Sequence, residues 1–389
     1  MNMKQLLSPV AQDIKPSGIR KFFDVVTSMP DAISLGVGEP DFVTPWHIRD
    51  AGIYSLEKGQ TYYTSNSGLL ELREEICHYM KRRFLLDYEP ENEVLVTVGG
   101  SEAIDLCVRS IISNGDEVLI PEPSFVCYSP CTSLAGGIPV PIVTKEENNF
   151  KLTANDLKKA ITPKTKLLIL PYPNNPTGAI MSKHDIEQIA EVLKDTNIIV
   201  LSDEIYAELT YNGKHTSIAN IDGMKERTVI ISGFSKAFAM TGWRLGYACG
   251  NKEIIGLMTK IHQYAIMCSP TTSQFAAIEA LRNGDSDIDE MAAEYNLRRK
   301  IILEGIRQIG LNCFEPLGAF YIFPNISVTG LSSTEFCEKM LQEQKVAVIP
   351  GNAFGDSGEG YIRCSYAYSI SAINKALDRI DAFVTKLRP

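Results

Sequence analysis

The sequence predicts an α/β fold: a large doubly wound domain around a mostly parallel central sheet, followed by a smaller α+β domain. Three observations predict it. From about residue 45 to 285, short β-branched runs alternate with amphipathic helical stretches, the pattern of a parallel sheet covered by helices. Within that region, chemistry-bearing residues follow successive apolar runs at a spacing of about thirty residues, the length of one βαβ unit. Beyond residue 285 one long helical stretch gives way to a few strand-like runs. The expected division is an amino-terminal arm, 1–44, that joins the small domain; a large domain, 45–285; and a small carboxy-terminal domain, 286–389.

Taken in order, the opening MNMKQLLSPVAQDIKPSG has no long apolar stretch of the signal-peptide kind, and no later run approaches the length of a membrane span. The chain is expected in the cytoplasm. Strands are expected at Val94–Val98, Glu117–Ile120, Leu167–Leu170, Ile198–Leu201, Val229–Ile231 and Leu245–Ala248. Between the third and fourth a helix opens at Ser182, with Asp185 three residues on as a capping-box variant. It carries Ile186, Ile189, Ala190 and Leu193 on one face. A longer helix from Asp287 to about Ile309 puts Met291, Tyr295, Ile302 and Ile306 on one side, and GAFYIFPNI, VAVIP and GYIRCSYAY then read as strands.

Composition narrows the function. Hydrophobic content of 44% and charged content of 22% are those of an ordinary globular protein. Lys plus Arg total 38 against 47 for Asp plus Glu, a formal charge of −9, which argues against nucleic acid or an anionic membrane as partner. The nine cysteines form no CxxC pair and the five histidines no ligand cluster. Buried thiols in a reducing compartment are expected, and no metal site.

In an open parallel sheet, ligands bind beyond the carboxyl ends of the strands, so the residues that follow each apolar run carry the chemistry. In VTVGGSEAIDLCV, Gly99, Gly100 and Ser101 open a helix whose amino terminus offers free N–H groups and a positive dipole end to a phosphate. The pattern is neither GxGxxG nor a Walker motif, which weakens dinucleotide and ATP readings. In LLILPYPNNPTGAI a proline-rich turn directs Asn175, whose amide can donate to a ring oxygen. In IIVLSDEIYAEL, Asp203 stands at a strand end, where a carboxylate in apolar surroundings needs a cation such as a pyridinium nitrogen. Tyr206, three residues later, can donate to the ring's phenolic oxygen. In TVIISGFSKAFAMTGWRLG, Lys236 is delivered into a turn of small residues, with Arg244 eight places on. A lysine beside cationic groups loses proton affinity and becomes a nucleophilic amine, which a carbonyl cofactor such as pyridoxal phosphate requires; Arg244 suits the phosphate.

These segments, with SLGVGEPDF, YTSNSGLLELRE, PEPSF, GAFYIFP and YIRCSYA, span residues 34–369, and in them the chain resembles the class I/II aminotransferases of the pyridoxal-phosphate fold type I superfamily. It is most similar to aromatic aminotransferases and the group related to N-acetyl-diaminopimelate aminotransferase. The resemblance implies a pyridoxal 5'-phosphate enzyme acting on amino acids and 2-oxo acids by ping-pong transamination, with Lys236 as covalent anchor and proton carrier. It implies cofactor contacts from Gly100, Ser101 and Glu102, stacking by Phe125, and Asn175, Asp203, Tyr206, Ser235 and Arg244 around the ring and phosphate. Arg363 matches the arginine that grips the substrate α-carboxylate, with Gly38 beside it. Tyr63 matches a tyrosine that reaches the phosphate of the other subunit, so a homodimer with shared sites is implied. One departure is Gly233, where many relatives carry a hydroxyl; Ser235 or Ser232 is expected to substitute.

Ser101 stands where aspartate-specific relatives carry a lysine, which favours neutral or aromatic donors, with Phe22, Phe23, Tyr62 and Tyr128 as candidate pocket walls. Arg20 is the candidate partner for an acidic side chain or for 2-oxoglutarate. The competing readings are an aspartate or N-acetyl-diaminopimelate type of aminotransferase, a lyase performing β-elimination or C–S cleavage, and a non-catalytic cofactor-binding regulator. The intact set Asn175, Asp203, Tyr206, Lys236 and Arg363 argues against the last.

Overall fold

The structure, a computed structural model, describes residues 1–16, 18, 29 and 31–387. In chain order its strands are β1 (Ile33–Ser34), β2 (Val94–Thr97), β3 (Glu117–Glu122), β4 (Ile138–Val143), β5 (Thr165–Leu170), β6 (Ile199–Asp203) and β7 (Thr228–Gly233). They continue with β8 (Gly246–Cys249), β9 (Tyr321–Ile322), β10 (Val346–Ala347), β11 (Ile349–Pro350) and β12 (Ile362–Ser365). The central sheet has seven strands in the order β2-β8-β7-β6-β5-β3-β4. Its pairings from β7 through β4 are parallel, and β8 runs antiparallel to both β7 and β2.

All six strands expected in the large domain form, displaced by one or two residues at their ends. One strand, β4, went unread because its sequence IPVPIV carries two prolines. The structure places it at the sheet edge, where proline nitrogens can face away from the ladder. The expected helix forms as Lys183–Leu193 with a full capping box: the Ser182 hydroxyl accepts from the Asp185 N–H, and the Asp185 carboxylate accepts from the Ser182 N–H. Its face of Ile186, Ile189, Ala190 and Leu193 is buried. The long helix spans Asp285–Gln308, and Met291, Tyr295, Ile302 and Ile306 are buried as its period requires.

Because β5, β6 and β7 are neighbours and parallel, the segments that follow them, bearing Asn175, Asp203 and Lys236, emerge side by side. The turn after β2 comes out at the same edge, since β2 and β7 both oppose β8. Carboxy-terminal to this sheet, β9, β12 and β11 form a small antiparallel sheet, and β1 pairs in parallel with β10. Arg363 sits on β12, aimed back toward the large sheet. Among the described residues no helix is long and apolar enough to cross a membrane.

Candidate active site

A cavity of about 530 Å³ opens at the carboxyl edge of β5, β6 and β7. Gly38, Gly100, Ser101, Phe125, Asn175, Asp203, Tyr206, Ser235, Lys236, Arg244 and Arg363 all line it. Residues from seven separate segments of the sequence thus meet in one space. Ser235 faces the cavity and Ser232 does not.

Lys236 stands in the short helix Phe234–Ala237 that follows β7, and its Nζ donates to the Gly38 carbonyl at 2.6 Å. Burial, reinforced by the positive charges of Arg363 and Arg244, pulls its amine down to about 8, although the Glu39 carboxylate opposes the shift. On the order of a tenth of Lys236 is therefore neutral, and nucleophilic, at pH 7, far more than for an ordinary lysine.

Asp203 ends β6 and is only 6% exposed. One carboxylate oxygen accepts from the Tyr128 hydroxyl at 2.7 Å and the other from the Ile205 N–H at 3.2 Å. Burial raises its pKa above the ordinary value while the Tyr128 hydrogen bond opposes the rise. The Tyr128 contact goes beyond the pocket-wall role its sequence position suggests. Three positions after Phe125 it faces the same cavity, packed edge-to-face against that ring at 6.0 Å. Tyr206 pairs through its hydroxyl with that of Tyr321 at 2.7 Å, a second partner the sequence did not disclose, although Tyr321 lies in the GAFYIFP segment.

Arg363 is 2% exposed. Its Nη1 donates to Asn175 Oδ1 at 2.9 Å and its Nη2 to the Gly36 carbonyl at 2.6 Å, while the guanidinium lies 4.4 Å from the Tyr321 ring centre. Its buried Nε has no hydrogen-bond partner among the described residues, so a donor remains available to an incoming anion. Arg244, at φ +54°, donates from Nη1 to the Thr241 carbonyl, and its guanidinium lies against the glycine turn. A Cβ on Gly99 would come within 2.6 Å of Arg244 Nη2, and Gly99 itself has φ +80°. The positive φ is what favours glycine here, since the Arg244 tip could move aside.

Two of the expected site residues do not line the cavity of the single chain. The Glu102 carboxylate turns away from the cavity and accepts from the Val98 N–H and from His262 Nδ1, the latter at 2.7 Å. Val98 and His262 take both of its oxygens, so the side chain is not presented to the cavity. Tyr63 is 81% exposed and is not part of the cavity wall in the single chain; Tyr62 is 80% exposed beside it. Arg20, Phe22 and Phe23 lie outside the described residues.

A parallel-sheet domain with a partly neutral lysine, a buried carboxylate and a glycine turn at one edge defines a class of enzyme that handles amines through a carbonyl cofactor. The comparisons narrow that class. The family described as "Aminotransferase class I and II" matches residues 30–380. The chain is 55% identical to the putative aminotransferase YugH of Bacillus subtilis, over 99% of this chain and 100% of that one. It is 47% identical to an aspartate aminotransferase of Pyrococcus abyssi, over 95% of each. The crystal structure of an aromatic aminotransferase from Pyrococcus horikoshii superposes with a TM-score of 0.90 at 44% identity, covering 94% of this chain and 99% of that chain. The protein belongs to the class I and II aminotransferases: it is a transaminase of fold type I that uses pyridoxal phosphate.

The cavity fits that cofactor in its own chemistry. Asp203 is a buried carboxylate with no cationic side chain paired to it among the described residues, which a protonated pyridine nitrogen would satisfy. The Gly99–Ser101 turn, with Arg244 against it, offers helix N–H groups and a guanidinium to a phosphate. The lysine amine completes the set.

Proposed function

We propose that this aminotransferase moves the amino group of a neutral or aromatic L-amino acid to a 2-oxo acid such as 2-oxoglutarate, from a site shared between two copies of the chain. The cations among the cavity's lining residues carry the substrate reading. They are Lys236, Arg244 and Arg363. With these given to the carbonyl, the phosphate and the α-carboxylate, none of the lining cations is left for a second carboxylate on the donor, and an acceptor that carries one, such as 2-oxoglutarate, takes Arg20 as its candidate partner. Phe125, Tyr128, Pro171, Pro173 and Tyr321 supply apolar wall instead.

Pyridoxal phosphate, when bound, supplies a carbonyl that condenses with amines and a ring that accepts electrons from the substrate. The chain's own residues do the rest. Lys236 Nζ holds the carbonyl, then takes the proton from the substrate α-carbon and delivers it again. Asp203 keeps the ring nitrogen protonated, with Tyr128 fixing its orientation. Phe125 stacks on the ring, and Asn175 and Tyr206 donate to its oxygen. Gly100, Ser101, the backbone of Glu102, Ser235 and Arg244 hold the phosphate, joined by Tyr63 from the second copy. Arg363, with Gly38 alongside, orients the α-carboxylate. The pairing of β1 with β10 supports an arm, 1–44, attached to a small domain, 286–389, beside the large domain 45–285. We place the enzyme in the cytoplasm, where a reducing medium keeps buried thiols such as Cys107, Cys249 and Cys364 free.

A second reading, an aspartate-type donor, is favoured by the name of the Pyrococcus abyssi relative. It needs a cation from beyond the cavity's described lining, and Arg20 is the candidate. The test is to follow the cofactor's visible spectrum as aromatic, aliphatic, acidic and diaminopimelate-type amino acids are added singly. Fastest conversion to the pyridoxamine form by an aromatic or neutral donor is expected. An acidic donor at the head of the series overturns the substrate reading, and release of ammonia without pyridoxamine would make the enzyme a lyase.

A further inference from the structure

An acidic side chain in the first turn of a phosphate-binding helix is an anomaly. It favours the helix dipole but repels the dianion that the same N–H groups are to hold. Glu102 is in that position, two residues after the helix Gly100–Ile111 begins. A free glutamate there would also fold back onto the unpaired N–H groups, as in a capping box, and compete with the phosphate for them.

The structure shows what prevents this. Glu102 is stretched backwards, with one oxygen on the Val98 N–H and the other on His262 Nδ1 at 2.7 Å. His262 comes from the helix Lys252–Ala265, which packs along Gly100–Ile111, and its ring is completely buried. Its Nε2 is buried with no hydrogen-bond partner among the described residues. A buried ring nitrogen without an acceptor is the bare one, so Nδ1 carries the hydrogen and donates it to Glu102. The bond is directional, charge-assisted and shielded from water.

We propose that His262 and Glu102 are positioning residues for the cofactor phosphate: His262 sequesters the Glu102 carboxylate and thereby keeps the N–H groups of Gly100 and Ser101, at the start of the helix, open to the dianion. The inference rests on the phosphate being seated at that turn, as in the proposed function. What matters is the pinning of the charge, and that separates the idea from a simple packing role.

The test is pyridoxal phosphate affinity of the full-length enzyme, read by titrating the resolved protein through its visible band, together with the 31P NMR shift of the bound phosphate. His262→Phe keeps the ring volume but removes the donor; it is expected to weaken binding about tenfold or more, the scale of losing a hydrogen bond to a buried charge. Glu102→Gln should bind within a few-fold of wild type. The double variant should return to the Glu102→Gln value with the wild-type 31P shift, since no charge remains to be held. A double variant as weak as His262→Phe alone would overturn the proposal, as would a His262→Phe protein that binds normally. Should His262→Phe fail to fold, Glu102→Asp takes its place: the shortened side chain keeps the charge but cannot span both partners. It is expected to bind at least tenfold more weakly than Glu102→Gln, and equal affinities overturn the idea. Arg244→Ala is the control. If it binds like wild type, the phosphate seat itself is wrong and the inference falls with it; if it binds weakly, a failure at His262 belongs to this inference alone.

Discussion

Lys236 shows how far a single residue's environment dictates its chemistry. Its pKa of about 8 lies below the ordinary lysine value of 10.5 because burial disfavours the ammonium, with Arg363 and Arg244 adding repulsion. Protonation is therefore harder in the folded chain than in the unfolded one. The resulting destabilisation is full below pH 8, shrinks as the pH rises and is gone above 10.5, so through this group the cofactor-free protein gains stability between those limits. The same shift governs reactivity. Capture of an aldehyde by the cofactor-free enzyme should rise with pH around a midpoint near 8, and this rise should be absent from Lys236→Ala. A midpoint at the ordinary lysine value would show that the amine is not perturbed.

Among the elements, the strand β8 packs backbone against backbone beneath the phosphate turn. A Cβ on Gly246 would come within 2.6 Å of the Gly99 carbonyl carbon and 2.7 Å of the Gly100 nitrogen, and one on Gly233 within 2.8 Å of the Gly246 Cα. Three glycine segments are stacked so that the phosphate turn can lie directly on the start of β8. This explains the departure at Gly233, where a hydroxyl-bearing side chain has no room beside Gly246 and Ser235 is the serine that faces the cavity. Backbone cannot yield as a flexible side-chain tip can. Gly246→Ala should therefore cost about 1–3 kcal/mol of stability, the usual range for overpacking, and should also displace the turn and weaken cofactor binding. Thermal denaturation with and without cofactor checks this; an unchanged midpoint and affinity would mean that the contact relaxes freely.

At the scale of the whole molecule, ties between distant segments position the substrate side of the cavity. Arg363 on β12 reaches the Gly36 carbonyl and Asn175 after β5, and Arg298 on the long helix holds both oxygens of Asp41, at 2.7 and 2.8 Å. The loop that presents Gly38 to Lys236 is thus fastened from the far end of the sequence. Tyr63, 81% exposed and outside the cavity, makes sense in the proposed homodimer as a donor to the neighbouring site. Mixing inactive Lys236→Ala subunits with Tyr63→Ala subunits should then restore activity that neither has alone, because one site of each hybrid dimer is intact. Failure to complement, with hybrid dimers shown to form, would confine Tyr63 to its own chain.

The sequence by itself determined the local pieces. The period of the apolar residues set the strands and helices, the Ser182 and Asp185 pair set a helix start, and the strand-end positions of Asn175, Asp203 and Lys236 pointed to one sheet edge, since neighbours along the chain control all of these. The prolines of β4 concealed a strand whose place at the edge is a property of the sheet. Tertiary structure alone decided which groups the side chains touch: Tyr128 on Asp203, Tyr206 on Tyr321, Arg363 on Asn175, and Glu102 on His262 instead of in the cavity. The physical reason is range. Backbone preference is settled over a few residues, whereas a buried polar group takes whatever partner packing brings within about 3 Å, and in these pairs that partner lies 75 to 188 residues away.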